Sequence, residues 1–306
     1  MKTVLVTGGT GYIGSFVVDH LIAEGFRVVA IGRNLPAGRP ESESFSFLRA
    51  QSTESLIELL LPFSPEGLIQ LAAFYTNDHR PADVREMLDA NVVFLSSVTE
   101  AAVETGAKWL VNIGSHAQLY GSANSPANLY AASKSAFQEI LRFYADARGL
   151  RVASLLLGDV YGPDDSRRKI LNIWRDASES ATVVGMSPGQ QIVQPIHVLD
   201  VVSAITHTFS LLSQAKIESP STYLVRGDRA LTLFELAHIF SSETGRRLSI
   251  SWGERPYHPR EMMDLTTLTP GLPEWKPAIS LEQGLRSAFV APGFTDDASA
   301  VSSSSQ

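Results

Sequence analysis

Five apolar runs, each of strand length and apolar at nearly every position, punctuate the first half of the chain: TVLVTG (3–8), FRVVAIG (26–32), GLIQLAA (67–73), AKWLVNIGS (107–115) and LRVASLLLG (150–158). A strand that faces water on one side alternates apolar with polar residues, so runs apolar throughout must be covered on both faces. Between them lie stretches with helical spacing, from about Ser15 to Glu24, from Asp89 to Glu104, and around Tyr130. Strands separated by helices form a parallel sheet, because each crossover carries the chain back over one face. The expected fold class is α/β, a doubly wound parallel sheet. Beyond DVYGPDD (159–165) the rhythm loosens into two Pro-containing stretches and the segment QPIHVLDVVSAI (194–205). This reads as a smaller C-terminal lobe packed over the carboxyl edge of the sheet. The division is residues 1–160 for the sheet domain and 161–291 for the lobe, with some chain crossing between them. The Ser-rich, apolar-poor residues 292–306 read as a disordered tail.

Composition narrows the partners. With 306 residues, 44% of them hydrophobic and 19% charged, the chain has the balance of a globular protein with a sizeable core. A net charge of -7 gives no basic footprint for nucleic acid or for an anionic membrane, so the partner expected is a small molecule. There are no cysteines, which excludes disulfides, thiolate metal ligands and a cysteine nucleophile; no metal site is expected. The first residues, MKTVLVTGG, enter a strand directly without the pattern of a signal peptide. No apolar run approaches the ~18 residues of a membrane span. A cytoplasmic location is the expectation.

The loop after the first run, VLVTGGTGYIGS, sets Gly8, Gly9, Gly11 and Gly14 between a strand and a helix. Glycine at these spacings permits a tight turn, close approach of backbone to a pyrophosphate, and close packing of the helix that follows. The phosphates then sit at a helix amino end, where N–H groups point outward. Following the first strand of an α/β pattern, this is the context in which such a loop binds a dinucleotide. Gly8, Gly11, Tyr12, Ile13 and Gly14 are the candidate contacts. About 20 residues further on, an Asp or Glu would bind the ribose 2′-hydroxyl of NAD. AIGR places Arg33 there instead, and a guanidinium suits a 2′-phosphate. NADP(H) is favoured, with NAD as the alternative.

Tyr130 and Lys134 stand four residues apart in NLYAASKSAF, on one face of a helix. A phenol that ionises near pH 10 is a poor acid or base at neutral pH. A positive charge ~5 Å away, at an effective dielectric near 20, is worth on the order of 3 kcal/mol, or about two pKa units. Lys134 would thereby bring Tyr130 towards the range of a general acid. Ser115 ends the run AKWLVNIGS, fifteen residues before Tyr130, where its hydroxyl can hold a reacting oxygen. His116 is the neighbouring polar alternative.

Taken in this order and spacing, the glycine loop, Ser115, Tyr130 and Lys134 resemble the extended short-chain dehydrogenase/reductases of the NAD-dependent epimerase/dehydratase kind. The resemblance covers nearly everything up to about residue 290. Leu71, Ala72 and Ala73 after the fourth strand, Asn91 in DANVVF, DVYGPDD and PIHVLDVVSA fall where that family has supporting pieces. It implies a Rossmann sheet, a nucleotide-activated sugar as substrate, Tyr130 as acid/base, Ser115 orienting the reacting oxygen, and Lys134 holding the nicotinamide ribose. Leu71, Ala72, Ala73 and Asn91 are carried over as further cofactor contacts. It also implies a homodimer paired through helices of the sheet domain.

Three departures from the family pattern refine this. SHAQ stands where dehydratases carry Thr-Asp-Glu, which removes the acidic pair for water elimination. Leu156 and Asp159 replace the Arg and Asn that usually precede Tyr-Gly-Pro, and Arg33 replaces the acid typical of epimerases that retain NAD. The chain looks most like the subgroup acting on CDP- or dTDP-linked deoxysugars. The favoured activity is NADPH-dependent reduction of a 4-keto-6-deoxy sugar; the alternatives are a 4-epimerase with retained NAD and a non-catalytic NADP-binding regulator. His116, Asp159, Arg167, Lys169, Asn172, Arg226 and Arg260 are the candidate substrate contacts, chosen largely for the cations a diphosphate needs.

Overall fold

Strands β1 (Thr3–Thr7), β2 (Arg27–Gly32), β3 (Phe45–Arg49), β4 (Gly67–Gln70), β5 (Trp109–Ser115), β6 (Arg151–Leu157) and β7 (Ser221–Val225) make one sheet in the order β7-β6-β5-β4-β1-β2-β3. Every neighbouring pair is parallel. The computed structural model describes residues 1–33, 39–50, 52–76, 78–121, 125–265 and 267–290. The residues expected to form a tail lie outside these. The chain winds outward in both directions from β1 and β4. In such open sheets ligands meet the crevice outside the carboxyl ends of the strands, where the winding reverses.

Alternate residues of each strand point to opposite faces, and each face has its own helices. On one side Val4 and Val6 join Val17, Val18 and Leu21 of α1 (Tyr12–Ala23). On the other, Leu5 joins Leu56 and Leu60 of α2 (Thr53–Leu60). That second face also takes α3 (Asp83–Leu88), which passes through a π-turn at Asp89–Val93 into α4 (Phe94–Glu104), and α5 (Leu129–Arg148). A third buried cluster gathers Trp174 from α6 (Ile170–Ser180), Phe240 from α8 (Leu233–Thr244) and Leu285 from α9 (Leu281–Phe289). Between these, α7 (Val198–Ser213) returns to the sheet beside α1, and β7 then pairs with β6 from Ser221↔Ala153 onward. The chain therefore crosses between the two cores after residue 160.

Several elements differ from the sequence reading for identifiable reasons. Helix α1 starts at Tyr12 and not near Ser15, because the glycine turn runs straight into it at Gly11. The helix placed from Asp89 begins at Asp83, with the π-turn absorbing one irregular step. Strand β3 and helix α2 are unmarked in the apolar pattern. β3 is short, with its last residues partly exposed, and α2 is started by Ser52, whose hydroxyl accepts from Ser55 N at 3.2 Å. Among the described residues no helix is long and apolar enough to cross a membrane.

Candidate active site

The glycine turn has room only for glycine where it matters. Gly8 sits at φ +68, and a Cβ there would stand 2.6 Å from Ala72 N; a Cβ on Gly14 would collide with the Gly8 carbonyl oxygen. Gly11 starts α1 with extended backbone and no side-chain cap. The first-turn N–H groups are thus not satisfied by a cap, and no acidic side chain stands in that turn. This cradle fits the pyrophosphate of a dinucleotide. Thr7, which the sequence reading passed over, locks the adjoining loop: its hydroxyl accepts from both Leu71 N and Ala72 N at 3.2 Å. Leu71 and Ala73 continue that loop beyond Gln70, and Ile13 packs against the sheet core.

Tyr12 points elsewhere than expected. Its hydroxyl donates to Pro163 O at 3.1 Å and the Arg167 guanidinium lies 4.3 Å over its ring, so the side chain ties α1 to the loop after β6. Burial, followed by the charge of Asp165, pushes its phenol well above the ordinary value. Arg33 extends from the end of β2, largely exposed, with Glu86 of α3 3.4 Å away.

Ser115 ends β5 and caps the short turn His116–Leu119: Ala117 N donates to its hydroxyl oxygen at 3.2 Å, and Ser115 N donates to Gln118 Oε1 at 2.9 Å. A hydroxyl that accepts from a backbone N–H keeps its own hydrogen for a further acceptor. Ala127 N donates to Ala117 O at 2.8 Å, which brings the start of α5 against this turn. His116 turns to β6, its Nδ1 3.1 Å from Leu157 O; a carbonyl can only accept, so Nδ1 carries the proton.

Asn128 caps α5, accepting from Ala131 N at 2.9 Å, and the helix presents Tyr130 and Lys134. Lys134 is 1% exposed and donates to Ile113 O at 3.0 Å, two residues before Ser115. Burial lowers its pKa to about 8. Its ammonium lies 6.0 Å from the centre of the Tyr130 ring. The expected lowering of the Tyr130 pKa is not what the geometry gives: burial, followed by Tyr75, pushes this phenol above its ordinary value. Desolvation acts on both members of the pair, and the attraction reckoned at an effective dielectric near 20 left this burial cost out.

Asn91 sits in the π-turn, fully buried. Its Oδ1 accepts from Phe74 N at 2.7 Å, and its amide donates to Phe74 O at 3.0 Å and to Ser133 Oγ at 2.9 Å. Ser133 in turn donates to Tyr130 O at 2.7 Å. Both amide hydrogens are used within the protein, so the Asn91 side chain positions the loop at Phe74 and the first turn of α5.

The substrate candidates divide. Arg167 is drawn inward: its Nε and one terminal nitrogen donate to the two carboxylate oxygens of Asp165 at 2.8 Å, and the terminal nitrogen also reaches Val160 O at 3.0 Å. Asn172 donates to Arg167 O at 2.9 Å. Arg260 bonds Ser125 Oγ at 2.8 Å and Pro126 O at 3.1 Å and lies over the Tyr120 ring, holding the segment ahead of α5. Arg226 is exposed past β7, 3.4 Å from Leu265 O. The ammonium of Lys169 lies 4.2 Å over the ring of Tyr75, which packs at right angles on Tyr130. Lys169, Asp159 and Asn172 line a small cleft of ≈ 30 Å³. Arg167, Asn172 and Arg260, chosen in sequence as charges or an amide for the substrate, each have protein partners in the fold, and Asn172 also lines the cleft.

Comparison with known proteins gives the family of this chain. The sequence model of the NAD dependent epimerase/dehydratase family fits residues 4–224. CDP-abequose synthase of Yersinia pseudotuberculosis is 31% identical over 214 residues, covering 68% of this chain and 73% of its own. The dTDP-4-dehydro-6-deoxy-D-allose reductase of Streptomyces bikiniensis is 27% identical over 302 residues, covering 88% and 90%. Among solved structures, the UDP-glucose 4-epimerase of Thermotoga maritima with UDP-glucose superposes with a TM-score of 0.76 at 22% identity, covering 94% of this chain and 97% of that one, and shares the fold. The chain belongs to the NAD-dependent epimerase/dehydratase family and is an NAD(P)-dependent enzyme of the extended short-chain dehydrogenase/reductase type.

Proposed function

We propose that the protein reduces the 4-keto group of a nucleotide-linked 6-deoxy sugar, with NADPH as the consumed cofactor. The observation that carries this reading is Arg33: an exposed guanidinium stands at the end of β2, at the position that selects between the ribose hydroxyl and its phosphate. A cofactor held by its 2′-phosphate is exchanged and consumed, as net reduction requires. The state of Tyr130 agrees, since a phenol raised by burial stays protonated at neutral pH and can act as proton donor. Relatives named for deoxysugar synthesis and 4-keto reduction support the substrate class.

A bound nicotinamide would supply the hydride to the keto carbon. The chain's own residues do the rest. The glycine turn and the start of α1 hold the pyrophosphate, and Lys134, with one ammonium hydrogen on Ile113 O, offers the others to the ribose. Ser115 donates to the carbonyl oxygen and orients it. Tyr130 delivers its proton to that oxygen as negative charge develops there. Lys169 meets the diphosphate at the cleft mouth.

The experiment is to follow NADPH absorbance with a panel of CDP- and dTDP-linked 4-keto-6-deoxy sugars. Oxidation with at least one is the expected result. One observation favours a second reading, a 4-epimerase retaining NAD: Glu86 pairs with Arg33 and brings a carboxylate to the ribose end. No NADPH oxidation, together with interconversion of sugar isomers without added cofactor, would establish that reading and overturn the first.

A further inference from the structure

Tyr75 stands at the approach to Tyr130, and its position is fixed from several sides. The residue before it, Phe74, has both backbone polar groups held by the buried Asn91, at 2.7 and 3.0 Å. The Tyr75 ring is perpendicular to the Tyr130 ring, with centroids 4.9 Å apart and planes at 88°. The ammonium of Lys169 lies 4.2 Å over the same ring. In spite of these contacts Tyr75 is 51% exposed. An aromatic ring so held, yet half open beside a proton donor, has the character of a recognition surface.

Resting on the reading of this site as one for a nucleotide-linked keto sugar, we infer that Tyr75 is its sugar-recognition residue. Its ring supports the C–H-rich edge of the sugar, including the methyl carbon of a 6-deoxy sugar, while the neighbouring Lys169 faces the diphosphate. The selection follows from solvation. A methyl group pressed on an aromatic ring is removed from water at a gain, whereas a 6-hydroxyl in the same place gives up hydrogen bonds to water and finds none on the ring. Tyr75 thereby sets the preference for deoxygenated over fully hydroxylated sugars. The sequence carried a faint trace of it, an aromatic pair directly after the LAA loop.

The test compares binding of stable ligands, nucleotide-linked glucose and its 6-deoxy counterpart in CDP and dTDP forms, to wild type, Tyr75→Phe and Tyr75→Ser by calorimetry. NADPH binding serves as the control for folding. Wild type should prefer the 6-deoxy ligand by roughly tenfold, within the range set by one small group in an apolar site. Tyr75→Phe should keep that preference and Tyr75→Ser should lose it, both with unaltered NADPH affinity. An unchanged preference in Tyr75→Ser, or loss of preference and NADPH binding together, overturns the assignment. The two readings fail separately: a wild type that reduces no keto sugar yet shows the ring-dependent preference loses the reductase reading and keeps Tyr75, while one that binds neither sugar overturns both.

Discussion

At the scale of single residues, burial is the dominant force on the catalytic pair, and it moves the two members in opposite senses. It disfavours the charged form of each group, so the phenol of Tyr130 is held protonated and the ammonium of Lys134 gives up its proton more readily, at about 8. The two directions make separate predictions. Tyr130→Phe keeps the ring and its contact with Tyr75 but removes the proton donor; kcat should fall on the order of 10² to 10⁴-fold with NADPH affinity retained, measured by steady-state kinetics and cofactor titration. In the proposed role of Lys134 the protonated form is the one that would hold the ribose, and it is present below its pKa and lost above it. The pH profile of kcat/KM should therefore fall on the alkaline side with a midpoint near about 8, well below the ordinary lysine range. A profile flat to pH 10 would show that this ammonium has no part in turnover.

Among elements, the π-turn at Asp89–Val93 supports the site from behind and leaves no mark in the sequence pattern. The family resemblance marks Asn91 as a cofactor contact, but nothing in DANVV breaks a helical pattern, and only the fold shows its amide clamping Phe74 and Ser133. Such turns interrupt helices frequently at functional sites. Asn91→Leu, close in size, would leave the Phe74 N–H and carbonyl without their partners. At ~1–3 kcal/mol for a buried polar group left unpaired, a loss of roughly 2–4 kcal/mol is expected, read as a lower midpoint in thermal unfolding. Because the clamp also places Tyr75 and the first turn of α5, kcat should fall more than cofactor affinity. The same contrast explains what else could be read from sequence. Strands buried on both faces are uninterrupted apolar runs, and the glycine turn has few alternatives, so β1, β2, β4, β5 and β6 were legible. β3 and α2, partly exposed and started by a side-chain cap, were not, and β7 joins β6 as an outer strand through a pairing between distant segments that no local pattern records.

On the scale of the whole molecule, the sheet and the third cluster must be held in fixed relation for substrate and cofactor to meet, and Arg167 is central to that bracing. It was expected on the diphosphate because DDSRRK shows the presence of charge but not its partner. In the fold it bridges the buried Asp165, the Val160 carbonyl and the ring of Tyr12, which itself bonds Pro163 O; the loop leading to α6 is thus fastened to the helix that starts at the glycine turn. Asp165 is 2% exposed, and its guanidinium partner about a third. Removing one partner of a buried ion pair costs ~3–5 kcal/mol because the other charge is stranded, and partial access of water to this arginine reduces the expected cost to about 2–3 kcal/mol. Arg167→Met, which keeps much of the apolar stem, should therefore lower the unfolding midpoint while leaving the KM for the nucleotide sugar within about twofold. A residue that touched the diphosphate would behave in the opposite way: stability unchanged and KM raised by roughly tenfold or more, the worth of a charge-assisted hydrogen bond. Thermal unfolding and steady-state kinetics on the same preparation separate the two, and the second pattern would place Arg167 on the diphosphate.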